Sequence, residues 1–407
     1  MKILFINTGP WGTGSFTVIK CLSKDLLKLG HEVKIFFPDA NFESMDKDEY
    51  YNNPDLYKIW NFPIKTSKSK LPTFPLMITD PHPRNPNAIT FKDLTDDQII
   101  LYEQEIHNQL SHLIHSFKPD IIECHHIWYP CWIINQMGLD YIVTAHHSDQ
   151  MGFHYDKRVQ KKAIASAEGA KKIIAISESV RREVIRLYHV DPNKIIVIPN
   201  GYDKDVFKGK KEVNKQEILQ ELGINISPNA RIISFAGKLS RTKGFDLILQ
   251  ANKLLDPSLD IHIIAMGTGD MKNICKNMNS DSYNLENIHF VGQQTPEFVA
   301  KIHSIALLSV MPSRSEGFGI ACLEAMACGL PMVVSRCGGP EQFAVGKIIE
   351  VGSVQQLADG IMEILKLPDI EYQKLSKKAQ LAAEKVSSTA ITKMHLDIYQ
   401  SILVPKP

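Results

Sequence analysis

Strand-like and helix-like patterning alternate along this chain. Short apolar runs at Lys2–Asn7, Glu32–Phe37, Asp120–Cys124, Tyr141–Ala145, Lys172–Ile176 and Lys194–Ile198 predict buried strands. A second set follows at Arg231–Ala236, Asp260–Met266, Asn287–Val291, Ile305–Met311 and Met332–Ser335. Between them lie helical patterns. Ser15 is a candidate cap for a helix reaching Leu29, with Gly30 as its C-cap. Asp96–Phe117 and Asp156–Lys172 are amphipathic, and Ser177 can cap the next helix. From Ile320 the apolar positions Ile320, Leu323 and Ala327 share a face, and Gly329 and Pro331 stop the helix. Helices are also expected over 353–366, 371–385 and Thr389–Leu403. Residues 40–95 lose periodicity and carry Pro54, Pro63, Pro72, Pro75, Pro81, Pro83 and Pro86; such a long irregular stretch is either functional or a surface excursion. The charged stretch Lys208–Lys215 is a candidate linker between two α/β sets, and no internal sequence repeat is visible.

Composition narrows the class. A chain of 407 residues with 44% hydrophobic content has core enough for two or three domains. With 46 basic and 45 acidic residues the net charge is +1, so nothing calls for a nucleic-acid partner. The cysteines at 21, 124, 131, 275, 322, 328 and 337 form no C-x2-C pair and are expected to be reduced core residues of a cytoplasmic protein. The first apolar run is too short for a signal peptide, and no run approaches a membrane span.

Three loops and two strand ends carry candidate chemistry. Pro312-Ser-Arg-Ser-Glu316-Gly317-Phe318-Gly319 joins a strand to a helix that bears Glu324. Carboxylates accept from vicinal hydroxyls, and the free amides of Phe318 and Gly319 at a helix start favour phosphate. From the residues alone, a solvated helix with an acidic first turn remains open. Gly237-Lys238-Leu-Ser-Arg-Thr-Lys243-Gly244 puts two cations beyond a strand, suited to a diphosphate or merely exposed. Gly9-Pro-Trp-Gly12-Thr-Gly14 follows the first strand; it is a phosphate loop or a tight turn, and its spacing is not the dinucleotide G-x-G-x-x-G. Histidine pairs, His125-His126 and His146-His147, end two strands, without the spacing of a zinc site. His107, His112 and His115 read as surface residues of their helix.

Glu316-Gly-Phe-Gly, with Glu324 closing an E-x7-E spacing, resembles the signature of the retaining, nucleotide-sugar-dependent glycosyltransferases of family 4. Lys243-Gly244, Asn200-Gly201-Tyr-Asp203, Gly267-Thr-Gly269 and Gly338-Gly-Pro-Glu341 resemble further elements of that family, so the likeness covers nearly the whole chain. It implies an α/β protein of two Rossmann-like domains facing across a cleft, the GT-B fold. Residues 1–205, with the final helix 388–407 packed back on them, would hold the acceptor; residues 206–387 would hold the donor.

The resemblance also assigns roles. Lys238, Lys243, Gly14 and the helix start at Gly319 would stabilise the departing diphosphate, and the base edge would lie near Gly292. Glu324 would hold the ribose. Glu316, Gly317, Phe318, Gly319 and His146 would surround the sugar, so that His146, Glu316 and Lys243 are the catalytic candidates. Two positions depart from the family pattern: Lys238 stands where arginine is usual, and Glu123 stands in place of the usual partner two residues before the family histidine matched by His125. No metal and no cofactor beyond the nucleotide diphosphate sugar is expected, and a small hydrophilic acceptor is preferred to a lipid. The irregular stretch 40–95 would shape acceptor choice. A lipid-directed relative would use the basic helix Asp156–Lys172, which otherwise reads as a solvated face. Two rivals stand beside this: a nicotinamide-dependent dehydrogenase with Asp39 on the ribose, and a non-catalytic sugar-nucleotide-binding protein.

Overall fold

A computed structural model describes residues 1–40, 53–62, 76–79, 88–209, 213–276 and 278–403. The chain divides into two compact units, Met1–Asn200 with Ser388–Pro407, and Gly201–Ser387.

The first unit is built on strands β1 (Lys2–Asn7), β2 (Glu32–Asp39), β3 (Tyr57–Asn61), β4 (Ile121–His125), β5 (Ile142–Ala145), β6 (Lys172–Ala175) and β7 (Ile195–Val197). Their order is β3-β2-β1-β4-β5-β6-β7, and every pairing is parallel. Parallel strands are covered by helices on both faces, which is why these runs are apolar throughout rather than alternating. The order reverses between β1 and β4. Loops leaving the carboxyl ends of strands at such a point frame the ligand site of an open α/β sheet.

Local chemistry sets the helix boundaries. Asp96–Phe117 starts at a capping box: Thr95 accepts from the Gln98 amide, and Gln98 Oε1 accepts from the Thr95 amide. The first helix, Gly14–Lys28, is capped at Thr13 and not at Ser15, which lies buried inside its first turn. Leu29 is its C-cap, and Gly30, at φ 80°, follows it. The stretch read as aperiodic contributes the edge strand β3 and a short turn at Phe91–Asp93. Residues 41–52, 63–75 and 80–87, with Pro63 to Pro86 and the expectation about acceptor choice, lie outside the described residues. The basic helix spans Lys157–Gly169 and is capped by Asp156. Much of its charge is engaged within the unit: Arg158 with Asp156 and Asp96, Lys162 with Glu103. The last helix, Ser388–Leu403, packs on Gly14–Lys28, where Thr389 Oγ1 donates to Asp25 Oδ2 at 3.1 Å.

The second unit repeats the plan with β8 (Arg231–Ala236), β9 (Ile261–Met266), β10 (Ile288–Gly292), β11 (Leu308–Met311), β12 (Met332–Ser335) and β13 (Gly346–Ile349). The order β10-β9-β8-β11-β12-β13 is again all parallel and reverses between β8 and β11. Its core joins Phe235, Phe245 and Ile248 to Leu308, Val333 and Leu357. The run Ile305–Met311 divides: Ile305 closes the helix Pro296–Ile305, and the strand begins at Leu308. A buried helix end and a buried strand are both apolar, so periodicity alone does not part them. Of the linker stretch, residues 210–212 lie outside the described residues, and Asn214 caps the helix Lys215–Glu221.

Candidate active site

In the second unit the loops after β8 and β11 flank the reversal of strand order. They touch because one residue has no side chain. Gly244 sits at φ 70°, and a Cβ there would stand 1.9 Å from the Pro312 carbonyl oxygen. Arg314 ties the loops further. Its amide donates to the Thr242 carbonyl at 2.8 Å, and its guanidinium grips the buried Asp246 carboxylate through two bonds of 2.7 and 2.8 Å. That bidentate pair holds both backbones in register. The approach brings Lys243 Nζ to 2.7 Å from Glu316 Oε1, which also accepts from Ser313 Oγ at 2.8 Å.

Gly319, at φ 96°, caps the helix Ile320–Ala327. The amides of Phe318 and Gly319 make no hydrogen bond among the described residues. They are open donors at a helix N-terminus. The Phe318 ring is buried against Phe343, with centroids 4.6 Å apart, so this residue offers the site only its backbone. A cavity of about 110 Å³ is lined by Gly237, Lys243, Ser313, Glu316, Gly319 and Ile320. Glu324 follows on the same helix, half-buried and without a hydrogen-bond partner among the described residues. Burial pushes its carboxyl up to about 7, with the charge of Asp203 adding to the rise. Lys238 is exposed on the loop it shares with Lys243. Gly292 ends β10 at the far edge of the sheet, where its carbonyl accepts from Gly267 at 2.7 Å. The helix ends in a Schellman turn, with Leu330 donating to Ala325 and Gly329 to Met326.

In the first unit the equivalent loops follow β1 and β4, and Thr8 Oγ1 donates to the His125 carbonyl at 3.1 Å. Gly14 is exposed at the start of the first helix. His126 and His147, at φ 82° and 77°, hold backbone conformations that non-glycine residues rarely adopt. Such strain gathers at functional sites. Asp149, fully buried, fastens the two histidine loops by accepting from the His146 amide at 3.0 Å and the Ile127 amide at 2.9 Å. The rings of His125 and His146 stack, with His125 Nδ1 2.8 Å from His146 Nε2. Burial pushes His125 down to about 3 and His146 well below the usual range, so both are neutral at pH 7.

Sequence reasoning gave Glu123 no role beyond a departure from the family pattern. It is fully buried on β4 two residues before His125, and therefore on the same face of the strand. Its carboxylate accepts from Thr144 Oγ1 at 2.6 Å, from Tyr399 OH at 2.5 Å and from His395 Nδ1 at 3.3 Å. Its Oε1 lies 3.4 Å from His125 Nε2. Burial alone would raise this carboxyl, but His395 and the other donors outweigh it and hold it at about 2. Two local spacings place the members of each pair side by side, Glu123 and His125 on one strand face and His395 and Tyr399 four apart on one helix face, but neither announces that the pairs meet. Among the described residues, no three His, Cys, Asp or Glu side chains form a group that could hold a metal ion, and no helix is long and apolar enough to cross a membrane.

Twin parallel sheets of this order, with the carboxylate, lysine and open helix start at one reversal point, define a class. Residues 12–206 match the family described as Glycosyltransferase Family 4, and residues 215–382 match Glycosyl transferases group 1. The chain belongs to this family of glycosyltransferases, which removes the dehydrogenase alternative. It is 26% identical over 291 residues to alpha-maltose-1-phosphate synthase of Mycolicibacterium smegmatis, covering 65% of this chain and 74% of that protein. With D-inositol 3-phosphate glycosyltransferase of Mycolicibacterium gilvum it shares 28% identity over 175 residues, which is 42% of this chain and 38% of that one. The match thus spans well under half of the inositol phosphate enzyme. Among solved structures, sucrose-phosphate synthase from Thermosynechococcus elongatus superposes with a TM-score of 0.73 at 19% identity over 99% of both chains. Anabaena Alr3699/HepE, in complex with UDP-glucose, gives 0.71 at 17% identity over 98% of this chain and 100% of the other. At these identities the structures establish the fold: two Rossmann-like domains of the GT-B class.

Proposed function

We propose that the protein transfers a sugar from a nucleoside diphosphate sugar to an acceptor hydroxyl, with retention and without a divalent metal. The observation that carries this is the Lys243–Glu316 pair at 2.7 Å beside the open amides of Phe318 and Gly319, with the unpartnered Glu324 farther along the same helix. When the bond from the anomeric carbon to the diphosphate breaks, negative charge grows on the leaving oxygens. Lys243, Lys238 and the helix N-terminus stabilise that charge, the work a metal would otherwise do. On the first unit, Gly14 meets the diphosphate and His146 a donor-sugar hydroxyl. Glu316, with Gly317, holds the sugar, Glu324 accepts from the ribose hydroxyls, and the base lies near Gly292. The acceptor oxygen bonds to the anomeric carbon on the face the diphosphate leaves, and its proton passes to the leaving phosphate. The second unit is the donor domain and the first the acceptor domain.

Support for the donor class comes from the UDP-glucose of the Anabaena structure, and for a small hydrophilic acceptor from relatives named for maltose 1-phosphate and inositol 3-phosphate. A thermal-shift screen of nucleotide sugars tests the donor, because a ligand that binds only the folded state raises its stability. Turnover with the best donor and a panel of acceptors should survive excess EDTA. Donor binding without turnover on any acceptor would leave a non-catalytic binding protein instead. Loss in EDTA that manganese or magnesium restores would refute the metal-free step.

A further inference from the structure

We propose that Glu123 is a positioning residue that sets, through His125, which nitrogen of His146 carries the proton. It leaves His146 Nδ1 as a bare acceptor for a hydroxyl of the donor sugar. The second clause rests on the donor reading of His146 given above; the first does not.

Three groups follow one another in contact. Glu123 Oε1 is 3.4 Å from His125 Nε2, and His125 Nδ1 is 2.8 Å from His146 Nε2. Both rings are neutral, so each carries one N–H and one lone pair. Two nitrogens 2.8 Å apart need one proton between them. Only two arrangements supply it.

In the first, His125 carries its proton on Nε2, facing the carboxylate. Its Nδ1 lone pair then accepts from His146 Nε2–H, and His146 Nδ1 is unprotonated. In the second, every proton moves to the other nitrogen of its ring. His125 Nε2 then turns a lone pair on a carboxylate oxygen 3.4 Å away, with both residues fully buried. Two electron pairs facing each other out of reach of water repel strongly. His125 Nε2 has no hydrogen-bond partner among the described residues, so its contact with Glu123 Oε1 is electrostatic, and no other group relieves it. An ionised Glu123 therefore selects the first arrangement, and Thr144, Tyr399 and His395 hold the carboxylate in place to do so. The partner on one ring nitrogen fixes the role of the other. His146 Nδ1 has no partner among the described residues, and the residue as a whole is partly exposed.

Other groups face these rings. Asp149 bonds the backbone of the histidine loops, not the rings. His126 Nδ1 is 2.8 Å from the His125 carbonyl, so it is a donor and takes no part in the series. Glu123 is thus the only carboxylate among the described residues that touches the chain of rings.

The tautomer can be read in the full-length protein by two-bond nitrogen–proton NMR on a sample labelled in histidine, with His146 assigned through His146→Asn. Wild type should show His146 protonated at Nε2. In Glu123→Gln, the side-chain amide can donate to His125 Nε2, and the His146 signal should move to, or be shared with, the Nδ1–H form. A wild-type His146 protonated at Nδ1, with no variant needed, overturns the proposal. So does a folded Glu123→Gln protein with an unchanged tautomer. The donor clause has its own readout. A deoxyfluoro donor accepts but does not donate a hydrogen bond. With each donor hydroxyl replaced in turn, wild type should disfavour one fluoro donor by about tenfold, and Glu123→Gln should narrow that ratio. A merely structural Glu123 would lower all donors alike. The expected tautomers without any fluoro discrimination would overturn the donor reading of His146 while leaving the relay in place.

Discussion

Gly244→Ala adds one methyl group and should disable the enzyme from outside the chemistry. The new Cβ would lie 1.9 Å from the Pro312 oxygen and 2.6 Å from its carbon, both backbone atoms that no rotamer change can move. Relief requires one loop to withdraw by about an ångström, which separates Lys243 from Glu316 and strains the Arg314–Thr242 bond. A left-handed alanine alone costs about 1–2 kcal/mol. A shift of about an ångström in a positioning group costs roughly a hundredfold in rate. Gly30→Ala is the matched control: φ is 80°, and nothing lies within 4 Å of the added carbon. Both variants should melt a few degrees early by calorimetry, Gly244→Ala the more so. Steady-state kinetics should show near wild-type kcat/KM for Gly30→Ala and a fall of about a hundredfold for Gly244→Ala. If the two variants melt alike and turn over alike, close packing of these loops does not position Lys243.

Glu324→Gln should chiefly raise the donor KM, since a ribose changes little during transfer. Glu316→Gln should chiefly lower kcat, because its contact strengthens as charge develops; each loss should be about ten- to a hundredfold. The opposite split in steady-state kinetics would reverse the two roles. Glu324 also predicts a pH dependence of stability. Its folded value of about 7 lies above the ordinary 4.5, so the stability it contributes is complete below about pH 4.5 and is lost as pH rises through 7. The melting temperature of wild type relative to Glu324→Gln should therefore fall between pH 5 and 8, and a flat difference would refute the raised carboxyl. Finally, the contiguous fragment 201–387 should bind a nucleoside diphosphate by calorimetry if the donor contacts are its own; a folded fragment that binds none would move the donor site.

The sequence discloses most where a rule is local. Thr95 and Gln98 mark the start of their helix to the residue, and β8 and β12 stand out as apolar runs. The strand Gly346–Ile349 is hidden because it lies at the sheet edge with only Ile349 buried. Ser15 looked like a cap because serine is a good one, yet Thr13 two residues earlier has the extended backbone a cap needs. At the site, Lys243 and Glu316 are 73 residues apart. Each stands out on its own loop as candidate chemistry, but nothing in their spacing announces a contact. The family resemblance hid Glu123: measured against the usual partner of His125 it is only a departure. Its partners His395 and Tyr399 are 272 and 276 residues away, beyond the reach of any local pattern.

Those two distant partners bear on how the chain folds as it is made. The first unit is interrupted: it needs Ser388–Leu403, and all of Gly201–Ser387 is synthesised before that helix exists. At roughly 5–20 residues per second, the Glu123 carboxylate waits on the order of 15–55 s for His395 and Tyr399, 272 and 276 residues on. The second unit, which is contiguous, can finish during that wait. The half of the protein that leaves the ribosome first is therefore the half whose core is completed last, with Thr144 alone of the three donors to Glu123 in place until the final turns of helix arrive.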